Sequence, residues 1–530
     1  MLETILNLKH YWDVTRGIRQ SLSGPWPDPE EKIVRDPESV RSQNFLNLVE
    51  HSVFQLPDSP YLALFRWAGC SFDNLSHELS REGLDSTLEK LLQSGVYISH
   101  REFKEKRLLK RNTLEIPLKP ESFLNPLARG WLPLGSGGSS GRQTRVTPNT
   151  LHLLERARCL ALLCQEFSLQ DSIHIALRPI LPGAAGILDT LQLASLGCKI
   201  DRWFSPSEAG TDSLHYRWLT RYIVALEQRY GIAVPYPVYL KSNSFEPVAE
   251  WIAQRRQDGF QVSVGSFISH AVRVAAAAVD AGCNISDTVF LSGGEALTPQ
   301  KRRIIESTGA HIFPRYHISE VGTIGLPCRQ MNHGNCVHAL DDRLSVIADS
   351  LEDPDYGLIE NVLFFTSICS SAPLLLINVD MGDTGIIDES GCDCRFTTAG
   401  FRRRICDIQS YAKLTSQGMT MENVDLLVLL ESALPERFGG IPGDFQLTEI
   451  EGPAQTHLIL RVHPRLKDID PELVLDFFMA QVRRLHGGAL ASRTWAYSRG
   501  VSVERAIPQT TSSGKNIPIL LLREKSNGSP

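Results

Sequence analysis

The sequence predicts an α/β protein with a largely parallel sheet, followed by a smaller α+β unit. Between residues 147 and 318, apolar strand-like segments alternate with helical segments, which is typical of strand–helix–strand units. After residue 407 the pattern changes to strands with fewer glycines and two helices, and a chain of 530 residues is long enough for two or more domains. We therefore place the large domain at 1–407, with 1–60 as a divergent extension, and the small domain at 408–530.

Periodicity and capping residues place the individual elements. Thr147 and Pro148 are expected to open a helix as its N-cap and first residue, and Thr298 and Pro299 to open another. The predicted helices are 147–167, a segment following 183, 266–281, 300–308, 422–432 and 472–485. The predicted strands are a buried segment from 172 and the segments 198–201, 262–264 and 288–291.

Composition indicates a soluble globular protein of the cytoplasm. Hydrophobic residues make up 42% and charged residues 22% of the chain, and the net charge of −6 gives no reason to expect nucleic acid or an anionic membrane as partner. No apolar run reaches the length of a membrane span, and the N-terminus lacks the order of a secretory signal. Eleven cysteines spread thinly over the chain predict reduced thiols.

A glycine- and serine-rich segment, Gly135–Arg145, is the strongest motif. Its glycines allow close approach to a ligand, its hydroxyls and backbone N–H groups suit phosphate oxygens, and two arginines add positive charge. The Walker and dinucleotide patterns both fail at Ser140, where each requires glycine. The segment therefore predicts a phosphate loop of another kind, and a flexible Gly/Ser linker is the alternative.

Four further motifs follow in order along the chain. They are Ser292-Gly-Gly-Glu-Ala-Leu297, Tyr316-His-Ile-Ser-Glu320, Asp380-Met-Gly-Asp383 and Thr511-Ser-Ser-Gly-Lys515. With the phosphate loop, this ordered set resembles the adenylate-forming enzymes: acyl-CoA synthetases, peptide-synthetase adenylation domains and luciferases. Within them it is most similar to the phenylacetate–CoA ligase branch. The resemblance implies a large N-terminal adenylate-forming domain with layered α/β sheets and a small, mobile α+β C-terminal domain.

The resemblance also implies a reaction and roles for residues. A carboxylic acid would attack the α-phosphorus of ATP, pyrophosphate would leave, and the acyl group would pass to a thiol of CoA or of an acyl carrier protein. Lys515 would be the mobile catalytic cation, Glu320 would bind Mg²⁺, and Ser319 would contact the α-phosphate. Tyr316 would stack on adenine and Asp383 would accept the ribose hydroxyls. The other nucleotide-binding residues would be Ser136, Gly137, Gly138, Ser139, Ser140, Gly141, Gly294, Glu295 and His317.

Two departures from the family keep alternatives open. His317 replaces a glycine and would reshape the acyl pocket, and the hinge arginine and aspartate correspond to Gln409 and Tyr411. An altered hinge leaves open an amine or protein acceptor, which would make the enzyme an amide or acyl-protein synthetase. A homologue that binds nucleotide or acyl ligand without turnover is a further alternative.

Cysteines on either side of Asp383 predict a structural zinc site. The resembling branch often carries Cys, His and a Cys-Pro-Cys pair at matching places, and some members bind zinc there. The expected ligands here are Cys328, Cys336, Cys392 and Cys394, with His333 and His338 as alternative fourth ligands. Buried thiols without a metal are the alternative.

The acid itself is the part of the reaction that the sequence describes least. The resemblance places the acyl pocket between helix 266–281 and segment 293–320, with Phe267 and His270 as candidate lining residues. Buried helix residues are the alternative identity for both. No basic residue announces a particular class of acid there, and a homodimer is a possible assembly.

Overall fold

A computed structural model describes the greater part of the chain. The described residues are 12, 15–22, 26, 28, 32–105, 108–119, 121–128, 130, 134–135, 145–146, 149–181, 185–206, 214–240, 244–331, 335–353, 357–411, 413–416, 419–451, 456–467, 469–484, 501–510 and 516–523.

Fifteen described α-helices follow a short helical segment at 15–22. In chain order they are α1 (Glu38–Val49), α2 (Pro60–Trp67), α3 (Phe72–Glu82), α4 (Leu84–Gln93), α5 (His100–Glu105), α6 (Thr150–Phe167), α7 (Ala185–Ser195), α8 (Leu214–Arg229), α9 (Glu246–Gln257), α10 (Ile268–Asp280), α11 (Pro299–Glu306), α12 (Arg395–Thr398), α13 (Asn423–Val428), α14 (Leu434–Phe438) and α15 (Pro471–Val482). The π-helical segments are Glu50–Phe54 and Leu429–Ala433, and a 3₁₀ turn spans Leu169–Asp171.

The described strands number twenty-two. In chain order they are β1 (Leu108–Arg111), β2 (Leu114–Pro117), β3 (Leu134–Gly135), β4 (Arg145–Val146), β5 (Ile173–Leu177), β6 (Lys199–Ser205), β7 (Pro237–Tyr239), β8 (Val262–Phe267), β9 (Val289–Gly293), β10 (His311–Ile318), β11 (Gly322–Leu326), β12 (Val337–Ala339), β13 (Leu344–Asp353), β14 (Gly357–Ser367), β15 (Val379–Asp388), β16 (Arg404–Ser410), β17 (Lys413–Ser416), β18 (Met419–Glu422), β19 (Phe445–Glu451), β20 (Thr456–Val462), β21 (Val501–Arg505) and β22 (Ile519–Arg523).

One twelve-stranded sheet joins a parallel half to an antiparallel half. The parallel half runs β10-β9-β8-β5-β6-β7, as the alternation of helices and strands predicts. The antiparallel half runs β11-β12-β16-β15-β14-β13 and meets the parallel half at β10. Strand β16 of this sheet crosses residue 407, the boundary proposed from the sequence.

Separate apolar cores cover the two halves. Helices α1 to α4 pack through residues such as Phe45, Phe65 and Leu88 against the antiparallel half, whose side chains include Phe364 and Phe365. Both faces of the parallel half are buried by helices, and every residue of β5 and of β8 is buried. Continuous apolar burial of this kind is what a parallel sheet with helices on both faces requires.

The N-cap of α6 differs from the sequence prediction. The side chain of Asn149 caps this helix, because its Oδ1 accepts a hydrogen bond of 2.8 Å from the backbone N–H of His152. Asparagine is among the strongest N-cap residues, and the helix therefore begins at Thr150. Thr147 and Pro148, the predicted opening, lie outside the described residues. The predicted cap of α11 is confirmed, since Thr298 Oγ1 accepts from the N–H of Lys301.

The C-terminal part has its own sheet and core. Strands β19 to β22 form a four-stranded sheet in the order β21-β20-β19-β22, and α13 to α15 contribute to the same apolar core. The predicted helix at 422–432 is divided into α13 and the π-helical segment Leu429–Ala433, which continues into α14.

A buried ion pair connects this C-terminal part to α11. Lys301 Nζ lies 2.7 Å from Glu431 Oε1, and Thr298 Oγ1 donates to Glu431 Oε2 at 2.9 Å. Lys301 is 4% exposed and Glu431 is 1% exposed. Burial would lower the pKa of Lys301, but attraction to Glu431 and Glu295 and the hydrogen bond to Glu431 together outweigh it and leave that pKa raised. The contact is therefore a charged, desolvated junction between the two parts.

Among the described residues, no helix has both the length and the apolar composition that crossing a membrane requires.

Candidate functional site

The predicted site residues gather at one edge of the parallel strands. Gly294 and Glu295 directly follow β9, and Ser319 and Glu320 directly follow β10. The carboxyl ends of parallel strands meet at this edge, where α/β proteins bind their ligands. The structure therefore brings these four residues together where a ligand is expected.

Tyr316 and Asp383, both predicted nucleotide-binding residues, are in direct contact. The Tyr316 hydroxyl donates a hydrogen bond of 2.7 Å to Asp383 Oδ2, which joins β10 to β15. Burial raises the pKa of Asp383 to about 6, and the hydrogen bond from Tyr316 offsets part of this effect. Burial and the neighbouring Asp383 carboxyl raise the pKa of Tyr316. The contact fixes the tyrosine ring beside the carboxylate predicted to hold ribose.

Asp380 holds the turn that presents Asp383. Its Oδ1 accepts from the N–H of Gly382 at 2.7 Å, and its Oδ2 accepts from the N–H of His100 at 3.1 Å and from the hydroxyl of Tyr411. Gly382 has φ of +90°, and a Cβ there would lie 3.0 Å from the His100 ring, so glycine is required. Burial raises the pKa of Asp380 to about 6.

Glu320, the predicted magnesium ligand, forms a buried ion pair. Its Oε1 lies 2.9 Å from Nζ of Lys104, which α5 carries, and Glu320 is only 4% exposed. The same lysine lowers the pKa of Asp383, although burial outweighs this effect. Burial, assisted by Lys104, lowers the pKa of His100 to about 4 and keeps that ring neutral at pH 7. Lys104 thus acts on two carboxylates, those of Glu320 and Asp383.

The remaining predicted residues at this edge have different surroundings. Glu295 accepts hydrogen bonds from the N–H of Ser269 at 3.2 Å and from its hydroxyl at 2.7 Å, at the start of α10. Ser319 is half-buried in the turn after β10, and His317 is exposed on that strand. Gly294 is exposed and has φ of +81°, which favours glycine.

Two groups of predicted site residues lie outside the described residues. They are the phosphate-loop residues Ser136, Gly137, Gly138, Ser139, Ser140 and Gly141, and the catalytic Lys515. The described flanks of both segments are paired: β3 pairs with β4, and Thr510 forms a β-bridge with Asn516. Asn516 is buried, and its Nδ2 donates to the carbonyl of Gly443 at 2.9 Å. The described residues on the two sides of each segment are therefore paired with each other.

Four side chains with metal-binding atoms meet on the far side of β12. Their donor atoms all lie within 4.8 Å of one another, and they belong to Cys328, His338, Cys392 and Cys394. Cys392 Sγ lies 3.6 Å from Cys328 Sγ and 3.3 Å from Cys394 Sγ, and His338 Nε2 lies 3.2 Å from Cys394 Sγ. Tetrahedral zinc with Zn–S bonds of about 2.3 Å separates its ligand atoms by roughly 3.8 Å.

The surroundings of this cluster suit a metal ion. His338 Nδ1 lies 2.8 Å from the carbonyl oxygen of Phe401, so an Nδ1–H donated there leaves Nε2 free as a ligand. The His338 ring stacks on Phe396. The hydrogen bond to Cys394, together with burial, raises the pKa of the Cys328 thiol. Three thiols and one imidazole in this arrangement match the Cys₃His set of structural zinc.

Cys336 is not a member of this cluster, contrary to the sequence prediction. It is joined by a disulfide to Cys406, with their Cα atoms 4.1 Å apart. The two cysteines face each other because Val337 pairs with Ile405 in the adjacent register position of β12 and β16. His338, one of the two alternative ligands, occupies the fourth position, and His333 lies outside the described residues. The expectation that all cysteines are reduced also differs from this structure.

The candidate acyl-pocket residues lie beside an arginine. The Phe267 ring is 5.3 Å from the His270 ring, and both residues are buried. The guanidinium carbon of Arg178 lies 5.0 Å from the centre of the Phe267 ring. A basic residue, Arg178, therefore lies beside the candidate acyl pocket, where none was identified from the sequence.

Sequence reasoning missed three charged or polar residues of this edge: Lys104, His100 and Arg178. The basic run at 101–111 looks like a solvated surface, but Lys104 reaches Glu320 across 216 positions of sequence. Arg178 directly follows the buried strand β5, and a charged residue at the carboxyl end of a parallel strand is a signal that could have found it. No comparable signal marks His100.

Comparison of the sequence with models of known protein families and with curated proteins gives no match. Comparison with solved structures does. 2-Hydroxyisobutyryl-CoA ligase in the postadenylation state, in complex with R3-HIB-AMP, matches with a TM-score of 0.56 at 11% identity, covering 94% of this chain and 94% of that chain. The same ligase in complex with 2-HIB-AMP matches with a TM-score of 0.53 at 13% identity and the same coverage.

Structural similarity at such low sequence identity establishes the fold alone, and the reaction has to be tested by experiment. Assignment to the phenylacetate–CoA ligase branch stays a prediction. The chain has the fold of the adenylate-forming enzymes, as its ordered motifs predict.

Proposed function

We propose that this protein activates a carboxylic acid with ATP, forming an acyl-adenylate and pyrophosphate, and then transfers the acyl group to a thiol. The thiol would be that of CoA or of a carrier-protein phosphopantetheine arm. The observation that carries the proposal is the contact chain Tyr316–Asp383 and Glu320–Lys104 at the carboxyl edge of the parallel strands. Tyr316, Glu320 and Asp383 are motif residues, two of them distant from the third in sequence, and they meet where a nucleotide is expected.

The predicted site residues would each have a separate role in the proposed reaction. Tyr316 would offer its ring to adenine while its hydroxyl stays on Asp383, whose ionised carboxylate accepts the ribose hydroxyls. Ser319 would donate its hydroxyl to the α-phosphate from the turn before Glu320. The phosphate loop would hold the β- and γ-phosphates, and Lys515 would neutralise the carboxylate and α-phosphate as they approach.

Glu320 suits magnesium because it is a buried carboxylate, a hard ligand for a hard cation. Magnesium supplies charge neutralisation of the triphosphate when it is bound. Lys104 already pairs with Glu320 at 2.9 Å, so this lysine has to release or share the carboxylate when the nucleotide arrives. Lys104 would then be free to donate to an anionic oxygen nearby.

Acid-dependent exchange of pyrophosphate into ATP tests the proposal on the full chain. A broad panel of carboxylic acids is expected to contain at least one that supports exchange, and Lys515→Ala is expected to abolish it. Lys525→Ala, which removes another lysine of the same C-terminal segment, is the matched control and should leave exchange unchanged. ATP binding without exchange for any acid would contradict the proposal and favour a non-catalytic homologue.

We also propose that Cys328, His338, Cys392 and Cys394 hold a structural zinc ion. Such a site would tie the segment after β11 to the segment after β15, and three thiolates with one imidazole leave no open position for chemistry. Metal analysis of the purified protein is expected to give one zinc per chain.

His338→Ala should lose this zinc, whereas Cys336→Ser should keep it, because Cys336 lies outside the cluster. Retention of zinc by His338→Ala together with its loss in Cys336→Ser would restore the ligand set that the sequence predicts. Zinc-free wild-type protein would remove the proposal altogether.

A further inference from the structure

A buried cluster of arginines lies beside the candidate acyl pocket. Three guanidinium groups surround one carboxylate, Asp189 of α7. Arg156 Nη2 lies 3.1 Å from Asp189 Oδ1, Arg178 Nε lies 3.3 Å from Oδ2, and Arg315 Nη1 lies 3.6 Å from Oδ2. Arg178 is 6% exposed and Asp189 is 7% exposed, so solvent does little to compensate their charges.

The strand register places two of these arginines in one row with the pocket. Arg315 pairs with Gly293, and Gly293 pairs with Phe267, across the parallel strands β10, β9 and β8. Ala176 pairs with Gly265, so the next positions on the same face are Arg178 and Phe267. The row therefore has a guanidinium at each end and the candidate pocket residue Phe267 between them.

The charges in this cluster do not balance. Asp189 is the one carboxylate within ion-pair distance of the three arginines among the described residues. Glu295 also acts electrostatically on Arg178, but its carboxylate is hydrogen-bonded to Ser269. Even when Glu295 is counted, one positive charge is left in excess.

Neighbouring groups do not supply the missing negative charge. His174 lies on the same face of β5 as Arg178, and burial lowers the pKa of this histidine to about 4, so it is neutral at pH 7. Burial and the other two arginines lower the pKa of Arg178 to about 10, despite the attraction of Asp189. Arg156 Nε makes no hydrogen bond in the described part of the chain, and Arg178 Nε, although 3.3 Å from Asp189 Oδ2, makes none either.

An unbalanced buried guanidinium costs free energy unless an anion accompanies it. Arg178 is well placed for such an anion, because it lies over the Phe267 ring at the edge where the acid is expected. Guanidinium groups bind carboxylates through paired, charge-assisted hydrogen bonds.

We infer that the acid activated by this protein carries a second carboxylate, which binds at Arg178 and Arg315. The inference rests on the proposed function, since it names the class of acid that the same site would activate. The carboxylate that reacts faces the nucleotide, and the second carboxylate lies at the arginine row. Arg178 and Arg315 are then specificity-determining residues.

Matched acids test this inference. Straight-chain dicarboxylic acids of four to eight carbons are compared with monocarboxylic acids of the same length by pyrophosphate exchange. At least one dicarboxylic acid is expected to exceed its matched monocarboxylic acid by tenfold or more in kcat/KM. Equal or better rates for the monocarboxylic acid at every length would overturn the inference and leave the proposed function standing.

Variants of the arginines separate specificity from folding. Arg178→Met and Arg315→Met should each lower the rate with the preferred dicarboxylic acid by tenfold to a hundredfold and spare its monocarboxylic counterpart. Arg178→Lys keeps the charge and should recover part of the preference. Arg81→Met, on the exposed face of α3, is the matched control and should change nothing. Equal losses for every acid would indicate that these arginines bind the nucleotide phosphates, which overturns the inference.

A binding measurement distinguishes the failure of this inference from the failure of the proposed function. If no acid supports exchange, the proposed function fails, and calorimetry with the same dicarboxylic acids then decides. Saturable binding that weakens at least tenfold in Arg178→Met would uphold a carboxylate site at the arginine row. Absence of binding to the wild-type chain would discard it.

Discussion

Two charged clusters at the same edge of the sheet have opposite imbalances. In the first, Glu320 and Asp383 share Lys104 as their nearby cation, and the carboxyl of Asp380 lies beside Asp383. In the second, three guanidinium groups share Asp189. The acidic cluster lies where β10 meets the antiparallel half, and the basic cluster lies over the parallel half. An acidic cluster suits hydroxyl groups and cations, whereas a basic cluster suits carboxylates.

This difference indicates how one edge can serve two ligands. An ATP molecule offers ribose hydroxyls and an accompanying metal ion, and an acid offers anionic oxygens. The clusters would then orient the two reactants from opposite sides, which is the alignment that two mutually repelling anions need before they react. Four predictions break or sharpen the comparison, from the largest expected effect to the smallest.

Glu320→Gln is expected to lower the rate of pyrophosphate exchange about a thousandfold, because a neutral amide replaces the carboxylate proposed to hold magnesium. The change also breaks the ion pair with Lys104, so a destabilisation of about 1–2 kcal/mol is expected beside it, and exchange is measured well below the melting temperature. Glu115→Gln, at an exposed ion pair of β2, is the control and should keep full activity. A loss of tenfold or less in the exchange rate would contradict the proposed role of Glu320 as a magnesium ligand.

Asp189→Asn is expected to destabilise the protein by roughly 3–5 kcal/mol, since removal of one partner leaves buried charges uncompensated. Chemical denaturation measures this change. A dicarboxylic acid should restore more stability to this variant than to the wild type, because it supplies the missing anion. A variant as stable as the wild type would mean that the three arginines do not depend on Asp189.

Lys104→Met is expected to destabilise the ligand-free protein by about 1–2 kcal/mol, less than the previous change because the lysine side chain is partly exposed. Mg²⁺ should stabilise this variant more strongly than the wild type, since the metal no longer competes with a lysine for Glu320. Thermal melting with and without Mg²⁺ measures the difference. Equal stabilisation of both proteins would separate Lys104 from the metal site.

Asp380 and Asp383 are expected to give the ligand-free protein a negative slope of stability against pH. Both have pKa values raised to about 6, above the value of about 4 in the unfolded chain. The folded state therefore binds more protons between pH 4 and 6, and the free energy of unfolding falls as pH rises through this window.

ATP binding should follow the opposite trend over the same window, because ionised Asp383 is the better acceptor for ribose hydroxyls. Asp383→Asn should flatten both profiles. Equilibrium unfolding and nucleotide titration between pH 4.5 and 7.5 measure them. An ATP affinity that does not rise with pH would argue against Asp383 as the ribose ligand.

Local sequence pattern predicted the parallel half of the sheet but not its partner. Strands β5 and β8 are continuously buried, and helical segments separate most strands of this half, so their local pattern indicates them, although β7 was not predicted from the sequence. The antiparallel half depends on pairing between distant segments, such as Val337 with Ile405, and local periodicity carries no information on that pairing.

The same distinction separates the site residues that were predicted from those that were missed. Tyr316, Glu320 and Asp383 belong to motifs that are contiguous in sequence, so the resemblance identified them. Lys104 acts through a contact with a segment far along the chain, and nothing beside it in sequence indicates this contact, whereas Arg178 is marked only by its position directly after β5. Cys336 was predicted as a ligand because the resemblance places it where the family carries its histidine, and only the register of β12 and β16 shows that it faces Cys406 instead.

The junction between Lys301 and Glu431 has a consequence for turnover. Any swing of the C-terminal part away from α11 must admit water to two charges that are almost fully enclosed in this arrangement. Under the proposed function we expect this contact to act as a latch, with its release linked to rehydration of one salt bridge. A ligand that draws Lys515 towards the cleft would have to open or preserve this latch, and the latch would then time the interval between the two half-reactions.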